Sequence, residues 1–218
     1  MLRELWRLLA PLGLLAVAVW VLTTAWSDLR ADLPSQGARA LITAWTADER
    51  RAAPQAAWLD AERDLQTSLQ VQPDNPVLNE ALGDLYLLGS QQPWAEPPQR
   101  QRYLQQSATA YRQVLAMRPR DARNWGALTM ALAQQGQRGN AVNEAWESAH
   151  RFGPNEGYLL LQLLRVALAT WDDASPAMQK WTTDLYENGN KQQREDLNRL
   201  ARQFGLEFSS QSPPRAGP

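Results

Sequence analysis

Twice in this chain a run of helix-forming residues sets small or apolar side chains at one fixed spacing and then ends at a proline. In WLDAERDLQTSLQVQPDNP, Ala61, Leu65 and Ser68 share one face of a helix that stops before Pro73. In SATAYRQVLAMRPRD, Ser107, Tyr111 and Val114 stand in the same relation to Pro119, with Leu69 and Leu115 as further equivalent apolar positions. A third copy, AVNEAWESAHRFGP, reads one residue out of register, with Ala141, Ala145 and Ser148 ahead of Pro154. Small residues at these points let two helices approach closely. A single helix pair cannot bury its apolar face alone, so this recurrence calls for several pairs stacked on one another.

The segments between these copies supply the partner helices. NEALGDLYLLG carries Leu82, Gly83 and Tyr86, and NWGALTMALAQQG carries Trp125, Leu128, Leu132 and Gly136. Together the segments resemble the tetratricopeptide (TPR) repeat, a unit of about 34 residues with an aromatic early in its first helix, Leu-Gly and then Tyr further on, small residues in its second helix and a closing Pro. The unit at 76–121 has Leu82, Gly83, Tyr86 and Pro119 but Asn79 at the aromatic position. The unit at 122–156 has Trp125, Gly136 and Ala141 but Thr129 in place of the Gly. An earlier unit at 42–75 offers Trp45, a turn at Pro54 and Ala61, and the stretch 157–190 is a degenerate copy. The resemblance implies an all-α solenoid of three to four helix pairs over 42–206. Residues 191–206 fit a C-terminal capping helix with Leu197, Leu200, Ala201 and Phe204 as its apolar stripe and Gly205 as its stop, and 207–218 are expected to be disordered.

Ahead of the repeats the chain runs from Leu8 to Trp26 without a charged residue, after a short basic flank at 1–7. A helix of that length nearly crosses a hydrocarbon core of about 30 Å. Trp6 and Trp26 fall at its ends, where indoles favour the membrane interface, and Pro11 falls in its first turn. A cleaved signal would have a shorter apolar region and small residues at the cleavage site, which Thr23 and Ala25 match weakly. The reading is a single transmembrane anchor over 8–26, with 27–41 as a linker or the start of the first helix. Arg3 and Arg7 on one side are balanced by Arg30 and Arg39 on the other, so orientation turns on the free amino terminus and on Asp28 and Asp32. The expected topology is a single pass through the inner membrane, with the N-terminus cytoplasmic and the body periplasmic.

Function classes fall away in turn. Lys and Arg number 22 against 23 Asp and Glu, so no basic field attracts nucleic acid. The absence of cysteine removes thiol catalysis, zinc-cysteine sites and disulfides. The single histidine, His150, is read as a polar residue near a helix C-terminus, where the dipole favours it, and a lone histidine makes no metal site. Asp172 and Asp173 precede Ser175-Pro176 and are read as a helix-start loop. No phosphate loop, nucleophile elbow or zinc-protease helix is present, so no catalytic residue, cofactor or metal site is expected.

Partner binding remains. The tetratricopeptide resemblance implies a groove lined by the first helix of each pair, and the residues that align there are Glu80, Asp84, Leu87, Arg123, Met130, Gln134, Tyr158, Leu161 and Arg165. Members that clamp acidic chaperone tails use Lys, Asn and Arg at positions held here by Glu80, Asp84 and Gly126, which argues against that ligand. Trp94 sits in SQQPWAEPPQR, an insertion at 90–100 expected to form a loop that either meets a partner or folds back on the body. The layout resembles membrane-anchored accessory proteins of exopolysaccharide biosynthesis, the VpsP-like group. It implies a scaffold in a bacterial envelope pathway that holds membrane-bound protein partners close to the bilayer. Two other readings stand beside it. One is a periplasmic glycan-binding or glycan-processing protein, for which Glu80 and Asp84, one turn apart on one helix face, are badly placed to flank a sugar. The other is a cytosol-facing regulatory adaptor.

Overall fold

The structure, a computed structural model, describes residues 2–47, 52–209 and 212–216, and within α1 it leaves aside the side chains of 2–14, 24, 25, 27, 28, 31 and 32. It is almost wholly helical, with adjacent helices packed in sequence, an arrangement compatible with an α-solenoid. The chain divides into two compact units, Met1–Leu85 and Tyr86–Pro218.

The first unit contains α1 (Leu2–Ala47), α2 (Gln55–Val71) and most of α3 (Pro76–Ser90). Of the two readings of 27–41, a linker or the start of the first helix, the residues are helix, and α1 runs on without a break through Pro34 and Gly37. Both are poor helix-interior residues. What offsets them is packing: Ser35, Ala38, Ile42 and Trp45 form one buried stripe, and α1 lies along α2. On α2 the buried residues are Trp58, Ala61, Leu65 and Ser68, so the small-residue face read from the sequence is the face that packs. Trp58 carries it one turn further back and donates Nε1–H to the Leu85 carbonyl of α3 at 3.0 Å.

Among the described residues no helix is long and apolar enough to cross a membrane. The side chains of 8–14, which open the apolar run, lie outside those described, as do the side chains of the basic flank at 1–7. The anchor reading over 8–26 therefore rests on sequence.

The second unit holds the end of α3, then α4 (Pro97–Met117), α5 (Ala122–Gln134), α6 (Asn140–Phe152), α7 (Gly157–Ala169), a 3-10 turn at Trp171–Asp173, α8 (Pro176–Glu187) and α9 (Lys191–Arg202). Its main core lies between α4, α5, α6 and α7, around Tyr111, Leu132, Trp146, Leu159 and Leu163. Short turns join the helices. Asp121 accepts from the Asn124 amide to start α5, and Gly136 and Gly139, at φ 80° and 70°, take the left-handed backbone needed between α5 and α6. Ser175 caps α8 with Pro176 behind it, and Asn190 caps α9 in a capping box with Gln193, so Asp172 and Asp173 do lie in the turn before a helix start.

The structure corrects two expectations and narrows a third. The third repeat copy is in register after all. Val142, Trp146 and Ala149 are buried at the same offsets from Pro154 that Ser107, Tyr111 and Val114 keep from Pro119, whereas Ala141 is exposed and Ser148 half-exposed. The bulky Trp146 at this position hid the match.

The insertion at 90–100 is loop only over 91–96, which includes Trp94, and helix from Pro97 onward. α4 begins at Pro97, with Glu96 and Gln99 forming a capping box, and only the turn after Ser90 is irregular. The added turns of α4 are tied down where Gln135 donates to the Leu104 carbonyl at 2.9 Å.

The tail expected to be disordered begins as strand β1 (Leu206–Ser209), paired antiparallel with β2 (Ser212–Ala216). Gly205 at φ 71° turns the chain back, Phe204 is left 39% exposed in the turn, and Phe208 takes the buried place expected of it, against Trp171 and Tyr186. Leu206 and Phe208 close a small second core with Leu168, Leu197 and Ala201.

Candidate partner-binding face

The first helices of two successive pairs, α5 and α7, lie side by side because glycine lets them. A Cβ on Gly126 would run into Leu159 Cδ1, and one on Gly153 would come within 2.8 Å of Leu159 Cδ2. Gln162 seals the approach by donating Nε2–H to the Gly126 carbonyl at 3.2 Å. Thr129, at the place where the repeat would have glycine, is fully buried and returns its hydroxyl to the Trp125 carbonyl at 2.8 Å. The close approach falls at Gly126 instead.

On α5, Arg123, Met130 and Gln134 follow helical spacing along one face, and on α7 Tyr158, Leu161 and Arg165 do the same. Arg123, Gln134, Tyr158, Leu161 and Arg165 are exposed and Met130 is half-buried against the core. Arg123 and Tyr158 sit near enough for the guanidinium to act on the phenol. Tyr158 donates its hydroxyl to Glu156 Oε2 at 2.5 Å. Loss of water around the hydroxyl, followed by this hydrogen bond and the Glu156 charge, pushes its pKa up to about 12, with Arg123 opposing. The phenol is therefore a neutral donor at every physiological pH.

Beyond Leu161 the face opens into a cleft of about 500 Å³ between α7, α8 and α9. Leu161, Leu164, Trp181, Leu185 and Leu200 give it an apolar wall, and Asp184 and Asp196 stand at its rim. Asp184 is bound by Lys180 at 2.7 Å and Asp196 by Arg199 at 3.2 Å, so the rim carries charge pairs rather than bare carboxylates. Sequence reasoning found Leu161 but missed the rest of this cleft, since Trp181, Leu185 and Leu200 belong to segments without a clear repeat pattern. A second hollow, about 590 Å³, lies between α4, α5 and α6 on Leu128 and Leu132, with Arg112, Glu144, Glu147 and Arg151 around it.

The remaining sequence-derived candidates are placed elsewhere. Glu80 and Asp84 belong to the first unit, half-buried on α3, while Leu87 belongs to the second and packs against its main core. Trp94 is half-buried and meets Tyr103 edge to face at 6.3 Å, and Tyr103 in turn stacks on Tyr86 at 6.1 Å. Its indole thus folds back onto α4.

His150 turns out to be more than a residue favoured by a helix dipole. Its ring lies 5.4 Å from Trp146 and 5.5 Å from Trp181, joining α6 to α8. Burial lowers its pKa below 6.5, and its buried Nδ1 has no hydrogen-bond partner. Among the described residues no group of three or more His, Asp or Glu side chains is placed to hold a metal ion.

No family model matches the chain, and neither a curated protein nor a solved structure matches it.

Proposed function

We propose that this protein is a membrane-anchored helical-repeat scaffold of tetratricopeptide type that binds another protein and catalyses nothing. The observation that carries the reading is the paired exposed face of α5 and α7, where Tyr158 and Leu161 are 57% and 49% exposed and lead into the apolar cleft. Large apolar side chains left in water beside cationic Arg123 and Arg165 suit a partner segment that is apolar with acidic flanks, laid along first helices as peptides are along such grooves.

The exposed apolar side chains of Leu15, Val17, Val19, Trp20, Val21 and Leu22 on α1 support the anchor, because a helix that is apolar all round is stable in lipid and not in water. The layout of one N-terminal span before a small helical body supports a place in bacterial envelope polysaccharide assembly, with the body periplasmic and the partner a membrane-bound pathway component.

The test is mild cross-linking of the full-length protein in its native membrane, with Leu161→Asp and the pair Arg123→Glu and Arg165→Glu alongside. Retention of a membrane-bound partner by the parent protein and its loss from both variants is the expected result. Equal retention by all three removes this face from the reading. Retained glycan, or hydrolysis of a polysaccharide, replaces the scaffold with a carbohydrate-active protein.

A further inference from the structure

Helix α1 carries two apolar stripes. Ser35, Ala38, Ile42 and Trp45 make the buried one already described. The other consists of Leu15, Val19, Leu22, Trp26, Leu29 and Leu33, in alternating steps of four and three residues. All six are exposed, from 46% at Leu29 to 68% at Leu22. At roughly 100° per residue the second stripe lies about 160° around the helix from the first, so α2 does not cover it.

A mean step of about 3.5 residues is the period of a two-stranded coiled-coil seam. Between Leu15 and Leu22 the neighbours are apolar too, and the stripe does not stand out there. It does so from Trp26 onwards, where Ser27, Asp28, Arg30 and Asp32 surround Leu29 and Leu33. These two leucines lie past the end of the uncharged run, where lipid tails cannot cover them.

We infer that this stripe seats a second copy of the same chain, making α1 a parallel two-stranded coiled coil that continues from the anchor into the stalk. The parallel orientation rests on the anchor reading, which sets both copies the same way up in the bilayer. A parallel seam is self-complementary, each residue meeting its own counterpart at the same depth. The six residues expose roughly 700 Å² per chain, which sets the most the seam itself can bury toward the ~800 Å² per partner of a standard stable interface. Arg30 lies over the Trp26 ring at 5.2 Å, at the flank position from which a long charged side chain shields a seam's edge. The helix of 46 residues, about 70 Å long, then holds two bodies side by side and doubles the binding faces presented to a partner.

The chain has no cysteine, so one introduced thiol reports one position without ambiguity. The experiment is disulfide formation in native membranes by full-length Leu22→Cys, Trp26→Cys, Leu29→Cys and Leu33→Cys, with Ser27→Cys and Ala31→Cys as positions off the seam. Homodimer at the four seam positions, at least fivefold above the two others, is expected, and Leu29→Asp with Leu33→Asp should lower it at least fivefold in the Leu22→Cys background. Weak or non-periodic cross-linking, or adducts to a different protein at the seam positions, overturns the dimer. Membrane sedimentation of the same samples reads the anchor separately: sedimentation without periodic cross-links removes the dimer alone, and a soluble chain removes the anchor.

Discussion

Asn79 donates its side-chain amide to the carbonyl of Pro73, six residues earlier, at 3.0 Å. Trp125 does the same with its indole, donating Nε1–H to the carbonyl of Pro119, again six residues earlier, at 2.9 Å. Asn79 occupies the position that the tetratricopeptide resemblance gives to an aromatic, and it is buried, with a second hydrogen bond to the Asn75 carbonyl at 3.0 Å. What this position must supply is a donor that ties the start of one helix to the proline ending the one before.

Replacing Asn79 by Leu, which keeps the bulk and removes the donor, should lower stability by about 1–2 kcal/mol, because it leaves two side-chain hydrogen bonds to the turn before α3 unmade. Trp125→Phe should cost about 1 kcal/mol for its single bond. Urea midpoints of the purified chain read both, and an unchanged midpoint in Asn79→Leu contradicts this account of the turn.

Gly126→Ala forces a methyl into Leu159, and the expected loss is about 1–3 kcal/mol. The cost should shrink when Leu159→Ala is added, since the two side chains then share the space. A double-mutant cycle that shows no coupling would mean that the α5–α7 approach is not set by this contact.

The lowered pKa of His150 makes stability depend on pH. The unfolded chain takes up a proton near 6.5 and the folded one only at lower pH, so the contribution is complete above 6.5 and is lost as pH falls from there. Denaturation midpoints at pH 7.5 and pH 5 should therefore differ more for the parent than for His150→Phe, which keeps the contact with Trp146 and Trp181.

Phe208 is 4% exposed, so Phe208→Ala should destabilise the α9 region by about 2–4 kcal/mol, somewhat below the usual ~3–5 kcal/mol for a buried aromatic because the element is terminal. Hydrogen exchange in Lys191–Arg202 is the direct measure. No change there would return 206–216 to the disordered tail that its composition suggests.

Much of the helical framework was legible because its signals are local. Pro54 and Pro176 begin helices and the prolines at 73, 119 and 154 follow helix ends, Ser175 caps, and Ala61, Leu65 and Ser68 face inward. The readings that failed depended on which partner a residue meets. Trp146 does not look like a small-face residue, yet its indole N–H reaches the Leu163 carbonyl at 2.9 Å, just as Trp58 reaches Leu85. The partner-binding face was half legible: Arg123, Tyr158, Leu161 and Arg165 follow from helical spacing, but the cleft they lead into is built by α8 and α9.

The sequence by itself determined where α2 stops, where α4 and α6 stop and where α8 starts, because backbone geometry at proline, glycine and capping residues is settled within a few residues of chain. It also determined the 3.5-residue stripe on α1. Only the tertiary structure decided that helix persists through Pro34, that Gly126 rather than position 129 takes the close approach, and that Phe208 instead of Phe204 fills the last core. Each of those outcomes is a balance between a local cost of a few kcal/mol and burial against residues distant in sequence, and the burial term is set by the neighbours that folding brings together.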